Sequence, residues 1–96
     1  MMLTIHRIKE LIQPICQKHP IDKVYLFGSY SRGEAKESSD VDLRIEGDIK
    51  GLFELGGIYE DLKDALGKDL DLLSTLPESE SFRNNLKRDE VLIYER

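Results

Sequence analysis

Between Asp40 and Glu46 the chain alternates strictly, with Val41, Leu43 and Ile45 apolar and Asp40, Asp42, Arg44 and Glu46 charged. A period of two is that of a β-strand, whose successive side chains point to opposite faces. This segment is therefore expected to be a strand with one face in a core and the other presenting two carboxylates. The full chain of 96 residues is near the lower end of size for a single hydrophobic core, so one domain spanning 1–96 is expected, with the strand as part of it.

The remaining segments supply its partners. Ile5, Ile8, Leu11, Ile12 and Ile15 form a helical stripe from Thr4 to Lys18, with Thr4 as N-cap and Pro14 expected to kink it or disrupt one turn. Lys23–Phe27 reads as a buried strand that stops at Gly28. Ser29–Ser39 is polar and reads as a loop with at most one helical turn. Leu52, Leu55, Ile58 or Tyr59, Leu62 and Leu66 form a second helical stripe closed by Gly67. Gly56 and Gly57 fall in its middle, each costing about 1 kcal/mol against Ala, so a bend or the close approach of another backbone is expected there. Lys68–Ser74 alternates again, with Leu70 and Leu72 toward the core and Asp69 and Asp71 away from it. A short helix from about Ser79, with Phe82 and Leu86 four apart, and a last strand Val91–Tyr94 complete the order. The fold class that follows is α/β (α+β): two layers, a small mixed β-sheet of about four strands, and helices packed on one face.

The net charge of −5 and the lack of any Lys/Arg-rich run disfavour a long nucleic acid as partner, because phosphate neutralisation supplies most of that affinity. A nucleotide held through metal ions is compatible with it. Cys16 is alone, which fits a reducing compartment and a small buried side chain. The charged residues His6, Arg7, Lys9 and Glu10 leave no signal peptide, and no apolar run approaches the ~20 residues of a membrane span. The chain reads as cytoplasmic.

Three features carry chemistry. Gly28-Ser29 ends a strand; a glycine there lets backbone approach a ligand, and the following amides and hydroxyl can hold phosphate oxygens, although such a pair alone is usually a turn. Asp40 and Asp42, two apart on one strand face, have Cα atoms ~6.5–7 Å apart. Oxygen-only ligands of this kind suit magnesium, which completes its shell with water and substrate phosphate; an isolated Asp-x-Asp is otherwise a solvated strand face. Asp71, with Asp69 beside it by parity, could complete the set and help deprotonate an attacking hydroxyl. That requires its strand to neighbour Asp40–Asp42, which the chain order does not show.

Gly28-Ser29-Tyr30-Ser31-Arg32-Gly33 followed by Ser39-Asp40-Val41-Asp42-Leu43 resembles the signature of the polymerase-β-like nucleotidyltransferase superfamily, and within it the minimal nucleotidyltransferase (MNT) family. The likeness continues through Leu70-Asp71-Leu72-Leu73 to Val91-Leu92-Ile93-Tyr94-Glu95 and spans nearly the whole chain. It implies a nucleotidyltransferase fold, with Gly28 and Ser29 binding the triphosphate of ATP. Asp40 and Asp42 would coordinate Mg²⁺, as two ions, and Asp71 would be the third catalytic and metal-binding carboxylate. Arg32 matches the family's arginine and would contact phosphate or brace the carboxylates. Arg44 departs from the family's apolar residue after Asp-x-Asp-Leu; its parity puts it on the carboxylate face, where pairing with Glu46 or a neighbour is the simplest role. Tyr25 and Tyr30 could stack on a base but read as packing, and His6 and His19 receive no role.

A chain this short has no room for a module that binds the acceptor, so the acceptor is expected to arrive as a partner protein. The resemblance implies a HEPN-domain ribonuclease toxin as that partner, one of whose tyrosines receives AMP, with this chain as the antitoxin. Two other classes stay open: a non-catalytic antitoxin that neutralises its partner by binding, and a nucleotide-binding regulatory subunit of a larger transferase.

Overall fold

The computed structural model describes residues 3–74 and 90–96. The short helix expected from about Ser79, with Phe82 and Leu86, lies outside the described residues. Helix α1, Ile5–Lys18, starts where Thr4 Oγ accepts the amide of Arg7 at 3.0 Å. Its buried side chains, Ile8, Ile12 and Cys16, recur every four residues and give it one core-facing side. The helix runs through Pro14, which is exposed, so the expected interruption does not end the element. It closes at His19, just before Pro20.

Strand β1, Ile21–Phe27, begins two residues earlier than the apolar run suggests, because Ile21 is itself fully buried. Strand β2, Val41–Gly47, buries Val41, Leu43 and Ile45 as the alternation predicts, and Arg44 between them as well. Helix α2, Gly51–Leu66, ends at Gly67, whose φ of 65° is the left-handed cap and whose amide bonds Lys63 O at 2.9 Å. Strands β3, Leu70–Leu73, and β4, Val91–Glu95, complete a four-stranded sheet in the order β3-β2-β1-β4. β1 is antiparallel to both β2 and β4, whereas β2 and β3 are parallel and joined through α2.

The strand residues Val24, Leu26, Val41, Leu43, Ile45 and Leu70 meet Ile8, Ile12 and Cys16 of α1 and Ile58, Leu62 and Leu66 of α2 in one core. Both helices thus cover the same sheet face, and the two-layer mixed sheet expected from the chain is the one observed. Near its C-terminal end α1 is tied to α2 by His19 Nε2 and Lys18 Nζ, 2.8 and 3.3 Å from Asp61 Oδ2. Among the described residues no helix is long and apolar enough to cross a membrane.

Two expectations for α2 need correction. Leu52, counted with the core stripe, is 86% exposed, because the first turn of α2 stands clear of the core that Ile58, Leu62 and Leu66 enter. At Gly56 and Gly57 the helix runs on unbroken and the expected close approach is not made: among the described residues no atom outside its own backbone lies within 4 Å of where a Cβ would be.

The sheet face opposite the helices carries a charged cluster. Arg44 is only 3% exposed, its guanidinium lying 4.2 Å over the Tyr25 ring. It donates to Glu46 at 2.8 Å and to Glu90 at 2.9 Å. Arg44 therefore ties β2 to the residue before β4, 46 positions on. Removing one member of such a buried pair leaves the other's charge unpaired. We expect Arg44→Ala to cost about 3 kcal/mol in urea unfolding, and Glu46→Ala, at the solvent-facing end of the cluster, less than about 1 kcal/mol.

Candidate active site

The site is assembled where three chain segments meet at one end of the sheet. β1 stops at Gly28, and the chain closes one turn: Ser31 Oγ donates to Gly28 O at 2.8 Å, Arg32 N to Gly28 O at 3.3 Å, and Glu34 N to Ser29 O at 2.9 Å. Residues 29–39 hold turns but no helix, within the expectation of a loop with at most one helical turn. Lys36 and Ser39 then form a second small turn, with Lys36 N donating to Ser39 Oγ at 2.8 Å and Ser39 N to Lys36 O at 2.9 Å, and Asp40 follows immediately before β2.

Asp42 is the centre of the arrangement. Its Cα partner in the antiparallel β1 is Phe27, and its partner in the parallel β3 is Asp71. The register therefore puts Asp42 beside the Gly28 turn on one side and beside Asp71 on the other. The strand adjacency that the order of elements left open is present. Gly28, at φ 74°, has no side chain to spare: a Cβ there would overlap the Asp42 carboxylate. The glycine ending β1 thus seats Asp42, a role that the strand-end position alone does not reveal.

Burial pushes the Asp42 carboxyl up to about 6. A hydrogen bond with Asp71 and the negative charges of Asp71 and Asp40 push it in the same direction, while Arg32 opposes them. Two carboxyl groups this close cannot both ionise cheaply without a cation. All the donors are oxygens, which is the chemistry of a hard divalent ion that takes the rest of its shell from water and phosphate. Among the described residues no three His, Cys, Asp or Glu side chains converge to hold an ion unaided. Asp42 and Asp71 form the pair, and the exposed Asp40 adds charge beside it. That incomplete set fits magnesium, which is bound by one or two carboxylates together with substrate phosphates.

Asp69, the alternative to Asp71, is turned elsewhere. Its side chain lies 3.9 Å from Lys63 Nζ, and its carbonyl accepts the Val41 amide at 3.0 Å. Arg32 is exposed, 3.2 Å from Glu34 Oε2, with its charge felt at Asp42. Tyr30 is buried in the core, its hydroxyl without a hydrogen-bond partner among the described residues, and Tyr25 lies beneath Arg44; both read as packing, as expected. One contributor went unnoticed in the sequence: Lys68, whose ammonium donates to Glu37 O and so pins the loop ahead of Asp40 to the α2–β3 turn. A lysine after the Gly67 cap carries no pattern that would single it out.

Residues 10–96 match the family described as polymerase beta, nucleotidyltransferase. The chain is 41% identical over 73 residues to a candidate protein adenylyltransferase of Methanocaldococcus jannaschii, covering 75% of this chain and 78% of that one. It superposes on the structure of a candidate minimal nucleotidyltransferase with a TM-score of 0.75 at 26% identity, covering 93% of this chain and 95% of that one. It also has the fold of a chain in the complex of tri-AMPylated Shewanella oneidensis HEPN toxin with MNT antitoxin, with a TM-score of 0.70 at 19% identity over 97% of this chain and 74% of that one.

Proposed function

The chain belongs to the polymerase beta nucleotidyltransferase family, and we propose that it transfers AMP from ATP to a hydroxyl of a partner protein, a tyrosine of a HEPN-domain toxin, and so acts as the antitoxin in the cytoplasm. The observation that carries this reading is the pairing of Asp42 with Asp71 across β2 and β3, next to a glycine-ended turn. Support for the acceptor comes from the protein adenylyltransferase relative and from the AMPylated HEPN toxin in the structural neighbour.

The residues divide the work by position. The backbone amides and hydroxyl of the Gly28–Ser29 turn receive the triphosphate. Asp42 and Asp71, with Asp40 beside them, would hold Mg²⁺, which when bound supplies positive charge against the phosphates and the carboxylates. Arg32 adds a further positive charge at the same edge. Asp71, exposed at the sheet edge, takes the proton of the acceptor hydroxyl as that oxygen bonds to the α-phosphorus. The bond from the α-phosphorus to the bridging oxygen breaks, and pyrophosphate leaves with its electron pair.

Label in the α-phosphate of ATP should therefore appear on the partner protein, and label in the γ-phosphate should not. Transfer of the γ label would contradict the reading. Because Asp42 holds its proton up to about pH 6, initial rates at limiting magnesium should fall as pH drops through that value. A rate that stays level to about pH 5 would show that Asp42 need not ionise.

A further inference from the structure

The first two turns of α2 present apolar surface that the core formed by the described residues does not bury. Phe53 is 100% exposed and Leu52 86%. They border a groove of about 590 Å³ whose floor and walls include Gly56, Gly57, Glu60 and Leu72. A fully exposed phenylalanine beside an exposed leucine is the kind of patch that marks an interaction site. The two glycines lower helix propensity, yet among the described residues nothing approaches either of them. Their bare backbone leaves a channel across the helix at the same place as the apolar patch.

We infer that this groove is the docking site for the protein acceptor, and that its occupant is an amphipathic helix of that protein; the inference rests on the transfer reading above. Such a helix would lay its apolar stripe on Leu52 and Phe53, pass its backbone over Gly56 and Gly57, and set a basic residue against Glu60. Position favours the acceptor. Leu72, in the groove wall, adjoins Asp71 in β3, and among the described residues β3 is the edge strand of the sheet. By strand parity Asp71 projects from that edge on the other face, so a molecule seated in the groove reaches the carboxylate pair by wrapping the edge.

Charge points the same way, since Glu60 and the exposed Asp71 lie on a chain of net charge −5. A second copy of the chain would bring the same acidic groups together.

The test uses purified HEPN-domain protein from the same genome, ATP and magnesium, with Phe53→Ser and Gly57→Arg compared against the wild type. Gly57→Arg raises helix propensity while filling the channel, so a loss seen in it does not come from unfolding. Both variants should raise KM for the HEPN protein about tenfold or more, leave kcat at saturation within about twofold, and bind ATP like the wild type. Unchanged KM in both variants would overturn the docking site while leaving the transfer reading intact. Binding by the wild type that is lost in both variants, without any transfer, would support the docking site and overturn the transfer reading. A wild type that self-associates through this face, becoming monomeric on Phe53→Ser with unchanged KM, would give the groove to a second copy and overturn the proposal. A wild type that neither binds nor modifies the HEPN protein would overturn both.

Discussion

Asp42→Asn is expected to lower adenylyl transfer on the order of a thousandfold and, at the same time, to make the protein more stable above pH 6. The first effect follows because Asp42 is the member of the carboxylate pair held between the Gly28 turn and Asp71. An amide there keeps the shape and loses the charge that holds a cation. The second follows from linkage. Burial and the neighbouring Asp71 raise the folded-state value of Asp42 to about 6, above an unfolded value of ~3.9. Between those values the folded state binds the extra proton, so stability falls as pH rises through that window and then levels off. Asn carries no such penalty. Thermal melts should show the variant above the wild type at about pH 8, with the gap closing as pH falls and gone only below about pH 3.9. A variant less stable at both extremes would mean that the Asp42 carboxylate contributes to the fold rather than straining it.

Gly28→Ala should be nearly as damaging to transfer, for a reason unrelated to charge. A left-handed φ of 74° costs an alanine about 1–2 kcal/mol, and the new Cβ would overlap the Asp42 carboxylate. If the carboxylate swings away to make room, it leaves Asp71; if the backbone shifts instead, the phosphate turn moves. Either way we expect a loss of transfer on the order of a hundredfold or more, with a stability loss of about 1–3 kcal/mol. Gly33→Ala is the matched control: its φ is 71°, but among the described residues nothing lies within 4 Å of a Cβ there. It should cost about 1 kcal/mol and leave transfer nearly unchanged. Equal activity losses in the two alanine variants would show that left-handed backbone, not the seat of Asp42, is what the turn requires.

Strand β2 and helix α1 were legible in the sequence because each carries its whole periodicity within itself: Val41, Leu43 and Ile45 alternate, and Ile8 and Ile12 recur at helical spacing. The candidate carboxylates were legible as residues, and the face of Asp42 and Asp71 by parity. Their meeting was not. Leu70–Leu73 is four residues long and could pair with any neighbour; what places it beside β2 is the return of the chain through α2, a property of the packed molecule. Leu52 was misplaced because periodicity reports which residues share a helix face, not how far along the helix the core extends. The seat that Gly28 makes for Asp42 and the reach of Arg44 to Glu90 join residues far apart in sequence, and no local spacing encodes such contacts.

Transfer through the Asp42–Asp71 pair leaves a mark on the partner that neutralisation by binding alone does not. Intact-mass measurement of a HEPN-domain partner from the same genome, incubated with ATP, magnesium and this chain, tests it most directly. The partner should gain one or more adenylyl groups with the wild type and none with Asp42→Asn. A partner that is bound and silenced equally by both proteins, with its mass unchanged, would contradict transfer through the pair.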